Sequence, residues 1–288
     1  MSSLENKIDF AVIFSVKGAN PNGDPLNGNR PRENYDGLGE VSDVCLKRKI
    51  RNRLQDMGQK IFVQSDDRSD DGCQSLRERA EKNDKFKDAC QGKKTNAEEA
   101  KEIACKTWID VRSFGQLFAF KDKDSSKNGI SLGIRGPVTV RAAYSIDPVE
   151  IESIQITKSV NGEDGKDKKA SDTMGEEHRV NHSTYVFFGS MNCQLAETTG
   201  FTKEDAELIK TALCTLFEND SSSARPDGSM EVNRVYWWEH NCRAGQYPSA
   251  VVHRSLKIKK IVENPKSFED YKVEIEPLKD LEPQELIK

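Results

Sequence analysis

Residues 42–58 read SDVCLKRKIRNRLQDMG, with five Lys or Arg among the seven positions 47–53, in a chain whose formal net charge is −4. Projected at about 100° per residue, this stretch predicts one helix with two unlike faces. Ser42 is its N-cap, and Asp43 stands in the first turn, where the helix dipole favours an acid. Gly58 ends it as a C′ glycine. Leu46, Ile50, Leu54 and Met57 fall on one stripe, which requires a layer to pack against. Arg48, Arg51, Asn52 and Gln55 fall on roughly the opposite face. Lys49 and Arg53 flank the stripe, with stems that run along it to reach water. The acids that usually balance a solvated helix face are missing from the donor side. Arg, Asn and Gln can all donate to phosphate or sugar oxygens, so this face suits an anionic partner. The alternative is a plain solvated face.

Outward from that helix the chain alternates between core and non-core material. IDFAVIFSVKG (8–18) has period two, with Phe10, Val12, Phe14 and Val16 facing one way, and predicts a first strand. The loop GANPNGDPLNGNRPRENYDGLG (18–39) carries Arg30 and Arg32 among Asn20, Asn27, Asn29 and several glycines. Such a loop lets backbone approach a ligand closely and offers amides to phosphates or bases. A plain solvent loop stays open beside that reading. The prolines and the missing final Glu argue against a calcium loop.

Residues 59–109 are charged and helical with thin apolar content, so they predict an insertion outside the main core. WIDVRSFGQLFAF (108–120) turns apolar at a glycine. Its Asp110 and Arg112 suit either a buried pair fixing a turn or a ligand contact. SLGIRGPVTVRAAYSI (131–146) reads as a strand, with Pro137 marking an edge or bulge. Residues 157–181 are too polar to bury and predict a projecting arm or hairpin. STYVFFGSMNCQLA (183–196) is a strand. FTKEDAELIKTALCTLFEND (201–220) is an amphipathic helix capped by Thr202, with Ile209, Leu213, Leu216 and Phe217 on one side. EVNRVYWWEH (231–240), VVHRSLKIKKIVE (251–263) and YKVEIEPL (271–278) read as strands, and Trp237 and Trp238 must face opposite ways.

Without the insertion and the arm, the order is βαββαβ. That is an α+β class with the ferredoxin-like arrangement shared by RNA-recognition modules. Residues 1–58, 110–156 and 182–288 make the palm of that fold, 59–109 the helical insertion and 157–181 the arm.

Composition narrows the function classes. The chain has 288 residues, 35% hydrophobic and 32% charged. No apolar run approaches the ~20 residues of a membrane helix, and MSSLENKIDF lacks the pattern of a signal peptide. A cytoplasmic protein with no membrane partner is expected. Seven cysteines without a Cys-x-x-Cys pair fit reduced thiols. The acidic balance argues against a freely diffusing non-specific nucleic-acid binder but allows a confined basic groove. His178 and His182 could share a metal only on a helix, which the glycines and charges around them oppose, so neither metal nor cofactor is expected. The same two histidines as acid and base, or instead Asp24 in the glycine-rich loop, keep an RNA-processing ribonuclease open. A protein-interaction module whose basic helix docks an acidic partner is a third possibility.

NPNGDP…NRPR, EVSDVCLKRKIRN, DVRSFGQLF, DTMGEEHRV, TGFTKEDAELI and SSSARPDGSM occur in one order across most of the chain. In them the sequence resembles the Cas7 backbone subunit of type I-C CRISPR effector complexes, the Csd2 family. The resemblance implies a hand-like protein: a ferredoxin-like palm, a helical finger and a thumb hairpin that reaches over a neighbour's palm. It implies a non-catalytic subunit that stacks along CRISPR RNA as a filament. The implied partners are CRISPR RNA, target DNA through guide pairing, further copies of the chain, and effector subunits of the Cas5, Cas8 and Cas11 types. Lys47, Arg48, Arg51, Asn52 and Gln55 would line the RNA groove with Asn20, Asn27, Asn29, Arg30 and Arg32. Met174 would be the apolar thumb wedge, and His178 and Arg179 would sit near the RNA backbone. One departure stands out: a basic residue is expected soon after Met174–Gly175, where this chain has Glu176 and Glu177.

Overall fold

The alternating stretch at the start of the chain becomes a strand buried on both faces. In the computed structural model, which describes residues 2–91, 96–120, 130–157 and 174–286, β1 (Ile8–Ala19) lies inside the main sheet. A loop with a two-residue ladder, β2 (Gly23–Asp24) and β3 (Arg30–Pro31), leads to β4 (Leu38–Val41) and then to α1 (Asp43–Asp56). Ser42 caps α1 by accepting from Cys45 N, and Gly58 follows at φ 79°. Four helices come next: α2 (Leu76–Lys82), α3 (Asp84–Gln91), α4 (Ala97–Thr107) and α5 (Ile109–Phe114). The hairpin of β5 (Gly115–Phe120) and β6 (Ile130–Arg135) pairs by itself. The chain then returns to the main sheet through β7 (Val138–Val140) and β8 (Ala143–Pro148). It leaves along β9 (Ile151–Thr157) and comes back on the long β10 (Met174–Met191). Helices α6 (Cys193–Thr199) and α7 (Lys203–Cys214) precede β11 (Met230–Glu239). The final part holds α8 (Ser249–Ser255), the pair β12 (Leu256–Lys260) and β13 (Tyr271–Ile275), and β14 (Gln284–Leu286).

The sheet runs β14-β11-β1-β10-β8-β4, each neighbouring pair antiparallel, in a mixed α/β fold. On one face, Phe10, Val12, Phe14 and Val16 meet the α1 stripe of Leu46, Ile50 and Leu54. Ala206, Ile209, Ala212 and Leu213 of α7 join the same core. Phe14 stacks on Tyr185 at 5.2 Å and Phe10 on Trp237 at 5.8 Å. Each large side chain buried here contributes about 1.5–3 kcal/mol. The Thr202 capping box with Asp205 fixes the start of α7.

The other face is covered too. Ala11, Ile13, Tyr236 and Trp238 pack under Val252, Leu256 and Leu281. Both tryptophans are therefore core residues, one per face, so neither supplies the open aromatic surface that RNA-recognition modules use. Asp9, fully buried on β1, ties this cover down. Its Oδ2 takes His240 Nε2 at 2.9 Å and Lys7 Nζ at 3.1 Å, and His253 Nε2 stands 3.4 Å from Oδ1.

Several expectations change. VVHRSLKIKKIVE starts as helix α8, because Pro248 sets its first turn and accepts from Val251 N and Val252 N. In STYVFFGSMNCQLA the strand stops at Met191, and Asn192 caps α6. SLGIRGPVTVRAAYSI divides into β6 and β7 at Gly136–Pro137, where a Cβ on Gly136 would stand 2.2 Å from Ser113 O, and into β7 and β8 at Arg141–Ala142. The helical lobe is larger than its composition suggests. Phe62, Phe86 and Trp108 share a second core with Phe118 of the β5–β6 hairpin, Phe62 and Phe118 being 4.9 Å apart. The polar arm likewise starts earlier, since β9 pairs with β10 from Ile151↔Val180 outward to Thr157↔Met174. Residues 158–173 lie outside the described part. No helix is long and apolar enough to cross a membrane among the described residues.

Candidate nucleic-acid interface

The Asn20–Arg32 loop is wired into place before it can touch a ligand. Asn20 is buried: its N–H donates to Ala224 O at 2.9 Å and its Nδ2 to Asn29 O at 2.7 Å. Asn20 and Asn29 thus hold the loop's shape, and Asn29 adopts φ 59°, which asparagine tolerates better than most residues. Asn22 Oδ1 accepts from Ser42 N at 2.9 Å and fastens the loop to the first turn of α1. Asn27, beside Gly28 at the tip, is exposed. Arg32 stands 3.4 Å from Asp24.

Arg30 reaches out of this loop. Its Nη1 donates to Ser153 Oγ at 2.8 Å, on β9. The same oxygen lies 2.9 Å from His178 Nδ1 on β10. Loop and hairpin base are therefore joined through one hydroxyl, and the His178 ring is buried there, with Glu176 at 3.7 Å. Next to it Arg179 pairs with Glu152 at 2.9 Å, across the hairpin. Met174 opens β10 opposite Thr157, and the Met174 side chain lies outside the described residues. His182 faces other surroundings, a cleft of about 640 Å³ lined by Lys17, Asp147, Lys260 and Tyr271. Burial pushes its imidazole below the ordinary histidine range. The two histidines do not converge on one reacting centre.

The donor face of α1 is not open, which corrects the helical projection. Arg48 Nη1 donates to Val63 O, and Arg51 Nε to Asp110 Oδ2 at 3.0 Å. Gln55 Nε2 donates to Arg68 O and Asp70 Oδ2 at 2.8 and 3.0 Å. Segment 61–70 lies across the strip and takes the donors of Arg48 and Gln55, while Asp110 of α5 takes that of Arg51. Burial, then the neighbouring Arg51 charge, pushes the Arg48 guanidinium below its ordinary value. Asn52 Oδ1 is buried and finds no donor among the described residues. Lys47 pairs with Asp43 at 3.0 Å within the helix. Lys49 does not reach water: it is buried against Asp220. Arg53 engages Thr215 Oγ1 and Glu218.

Asp110 and Arg112 do not pair with each other. Besides Arg51, Asp110 accepts from Phe62 N at 2.7 Å and Val63 N at 3.1 Å, holding the segment that covers α1. Arg112 forms a two-pronged pair with Asp205, at 2.9 and 2.7 Å, joining α5 to the cap of α7. Sequence reasoning missed Ser153 altogether. A lone serine in ESIQ carries no signal until the strand pairing places it opposite His178.

Residues 6–276 match the family described as CRISPR-associated protein Cas7. A relative of that name from Haloferax volcanii is 26% identical over 259 residues, which cover 83% of this chain and 73% of the relative. Two solved chains are also similar. One comes from a CRISPR RNA-guided surveillance complex described as pre-nicking, at TM-score 0.45 and 14% identity, covering 81% of this chain and 78% of that one. The other comes from a CRISPR RNA-guided surveillance complex, at TM-score 0.47 and 15% identity, covering 81% and 68%.

Proposed function

Because the chain belongs to the CRISPR-associated Cas7 family, we propose that it is a non-catalytic, guide-RNA-binding backbone subunit of a type I-C, Csd2-like effector complex. The observation that carries this reading is the junction at Ser153, where the Asn20–Arg32 loop meets the base of the β9–β10 hairpin beside the start of α1. A polynucleotide laid there would contact Asn27, Arg30 and Arg32 on one side and Lys47 and Asn52 on the other. Arg48, Arg51 and Gln55 would act from positions that their internal partners fix. Asn20 and Asn29 shape the loop, Met174 is the wedge, and Arg179 lies at the hairpin base. His178 holds the hairpin rather than moving a proton.

The order β11-β1-β10-β8, with α1 and α7 in one core, supports a ferredoxin-like palm. Residues 59–109 are the finger, its core continued by the β5–β6 hairpin. The arm at 157–181, with its base from Ile151, is the thumb. Such a subunit grips phosphates and leaves sequence reading to pairing between guide and target. Its protein partners are then further copies of itself and subunits of the Cas5, Cas8 and Cas11 types.

The test is to purify the chain from cells that carry a CRISPR array and sequence the nucleic acid that travels with it. Guide RNA is the expected passenger. Protein free of RNA at moderate salt, or RNA of random origin, would overturn the reading.

A further inference from the structure

The cleft of about 640 Å³ that holds His182 is used by none of the RNA contacts proposed above. Two turns wall it. One joins β8 to β9 and brings Asp147, Pro148 and Glu150; the other follows β12 and brings Glu263, Asn264, Pro265 and Lys266. Lys260 ties the walls together: its Nζ donates to Glu263 O at 3.2 Å and stands 3.6 Å from Asp147 Oδ1. Asp270 closes the second wall on itself. Its Oδ2 accepts from Lys266 N at 2.8 Å and Ser267 N at 3.1 Å, and its backbone oxygen accepts from Ile261 N at 2.9 Å. The cleft is thus formed by the chain's own bonds, as small-molecule sites usually are.

Its chemistry changes from floor to rim. Buried Tyr271 and half-buried His182 make the floor, and burial keeps that imidazole below the ordinary histidine range, hence uncharged at neutral pH. Pro148 and Pro265 add apolar ring surface. Lys17, Lys260 and Lys266 are matched by Asp147, Glu150 and Glu263, so the lining carries no net charge. That balance suits a neutral polar group in the interior better than a bare anion. At the rim, Lys17, Asn181, Asn264 and Lys266 are exposed, and their side chains have no hydrogen bond or ion pair among the described residues. Two free amides, each donor and acceptor, match the mixed edge of a nucleobase. Two free ammonium groups beside them match the phosphate that a nucleobase carries.

We propose that this cleft is a nucleotide site, with the base against the prolines, its edge read by Asn181 and Asn264, and its phosphate held by Lys17 and Lys266. The occupant is a free nucleotide or one residue of a bound strand. Asn181 N donates to Glu150 O at 3.2 Å, one rung below Ile151↔Val180. The cleft therefore opens about 10 Å, three residues along each strand, from Ser153 and His178, within reach of a strand held there.

The experiment titrates the full chain with AMP, GMP, CMP and UMP by calorimetry near 0.1 M salt. Wild type is compared with Asn264→Ala and Lys266→Gln, with thermal melts to check that both variants stay folded. One nucleotide per chain is expected for at least one of the four. Asn264→Ala should weaken it about tenfold and Lys266→Gln about fivefold. Raising the salt should shrink the Lys266→Gln difference and leave that of Asn264→Ala in place. Should either loop variant lose stability, Asn181→Ala repeats the test from the opposite wall. Prebound single-stranded RNA separates the two sources: a residue of the strand in the cleft blocks the nucleotide, whereas a site for free nucleotide still takes it up. A wild type that binds none of the four, or folded variants that bind as wild type does, overturns the inference and leaves the RNA reading standing. A chain that binds a nucleotide but no RNA overturns that reading and keeps this site.

Discussion

Arg30 and His178, 148 positions apart in the chain, meet on one oxygen: Ser153 Oγ lies 2.8 Å from Arg30 Nη1 and 2.9 Å from His178 Nδ1. The first comes from the glycine-rich loop and the second from the return strand of the polar hairpin. A single hydroxyl thus bridges two segments that also pack directly against each other. A strand bound at this junction would meet them as one surface.

That linkage is testable by a double-mutant cycle. Arg30→Ala and His178→Ala should show a coupling of about 0.5–1.5 kcal/mol in RNA-binding free energy. In a Ser153→Ala background the coupling should vanish. Equal additivity in both backgrounds, read from titrations at fixed salt, would show that the two segments act independently.

Arg51 gives a second test. Its partner Asp110 is fully buried and also accepts from Phe62 N and Val63 N. Asp110→Ala would leave two amide donors and a mostly buried guanidinium without their acceptor, and should cost about 3–5 kcal/mol in a urea melt. Arg51→Glu should also destabilise, although a helical projection alone would place that change harmlessly on a surface. A loss below about 1 kcal/mol for Asp110→Ala would contradict the packing of segment 61–70 on α1.

The pH response should centre on Asp9. Burial alone would raise its carboxyl; hydrogen bonds from His240, His253 and Ser249 and the charge of Lys7 outweigh this and hold it well below the usual carboxylate range. A group whose folded value is depressed adds stability that is complete above its unfolded value of about 3.9 and is lost as pH falls toward the folded value. Thermal melts should therefore drop steeply below about pH 4. Asp9→Asn should melt lower at neutral pH and show a flatter acid limb. An unchanged acid limb in Asp9→Asn would place the sensitive carboxylate elsewhere.

Local signals in the sequence were reliable where local contacts decide. The stripe of Leu46, Ile50 and Leu54, the caps at Ser42 and Thr202, and the period-two run in β1 all depend on neighbours a few residues away. The donor face of α1 was misread for the opposite reason. Its acids, Asp70 and Asp110, arrive from segments 15 and 59 residues distant, so no projection of one helix can show them. The cover over Trp238 was hidden in the same way. It is built from Val252, Leu256 and Leu281, scattered in a polar C-terminal stretch. In α8, two adjacent valines suggested a strand, but Pro248 and the burial of Val252 and His253 decide for a helix. Among candidate site residues, Arg30 stood out in its glycine-rich loop and His178 through the resemblance, while the serine that joins them carried no signal.

The most direct test of the whole account is a photocrosslink. Guide RNA carrying 4-thiouridine would be bound to the full chain, irradiated, and the attached peptides mapped by mass spectrometry. Crosslinks should fall on the Asn20–Arg32 loop and the base of the β9–β10 hairpin. Crosslinks confined to the 240–281 cover, on the far face of the sheet, would contradict it.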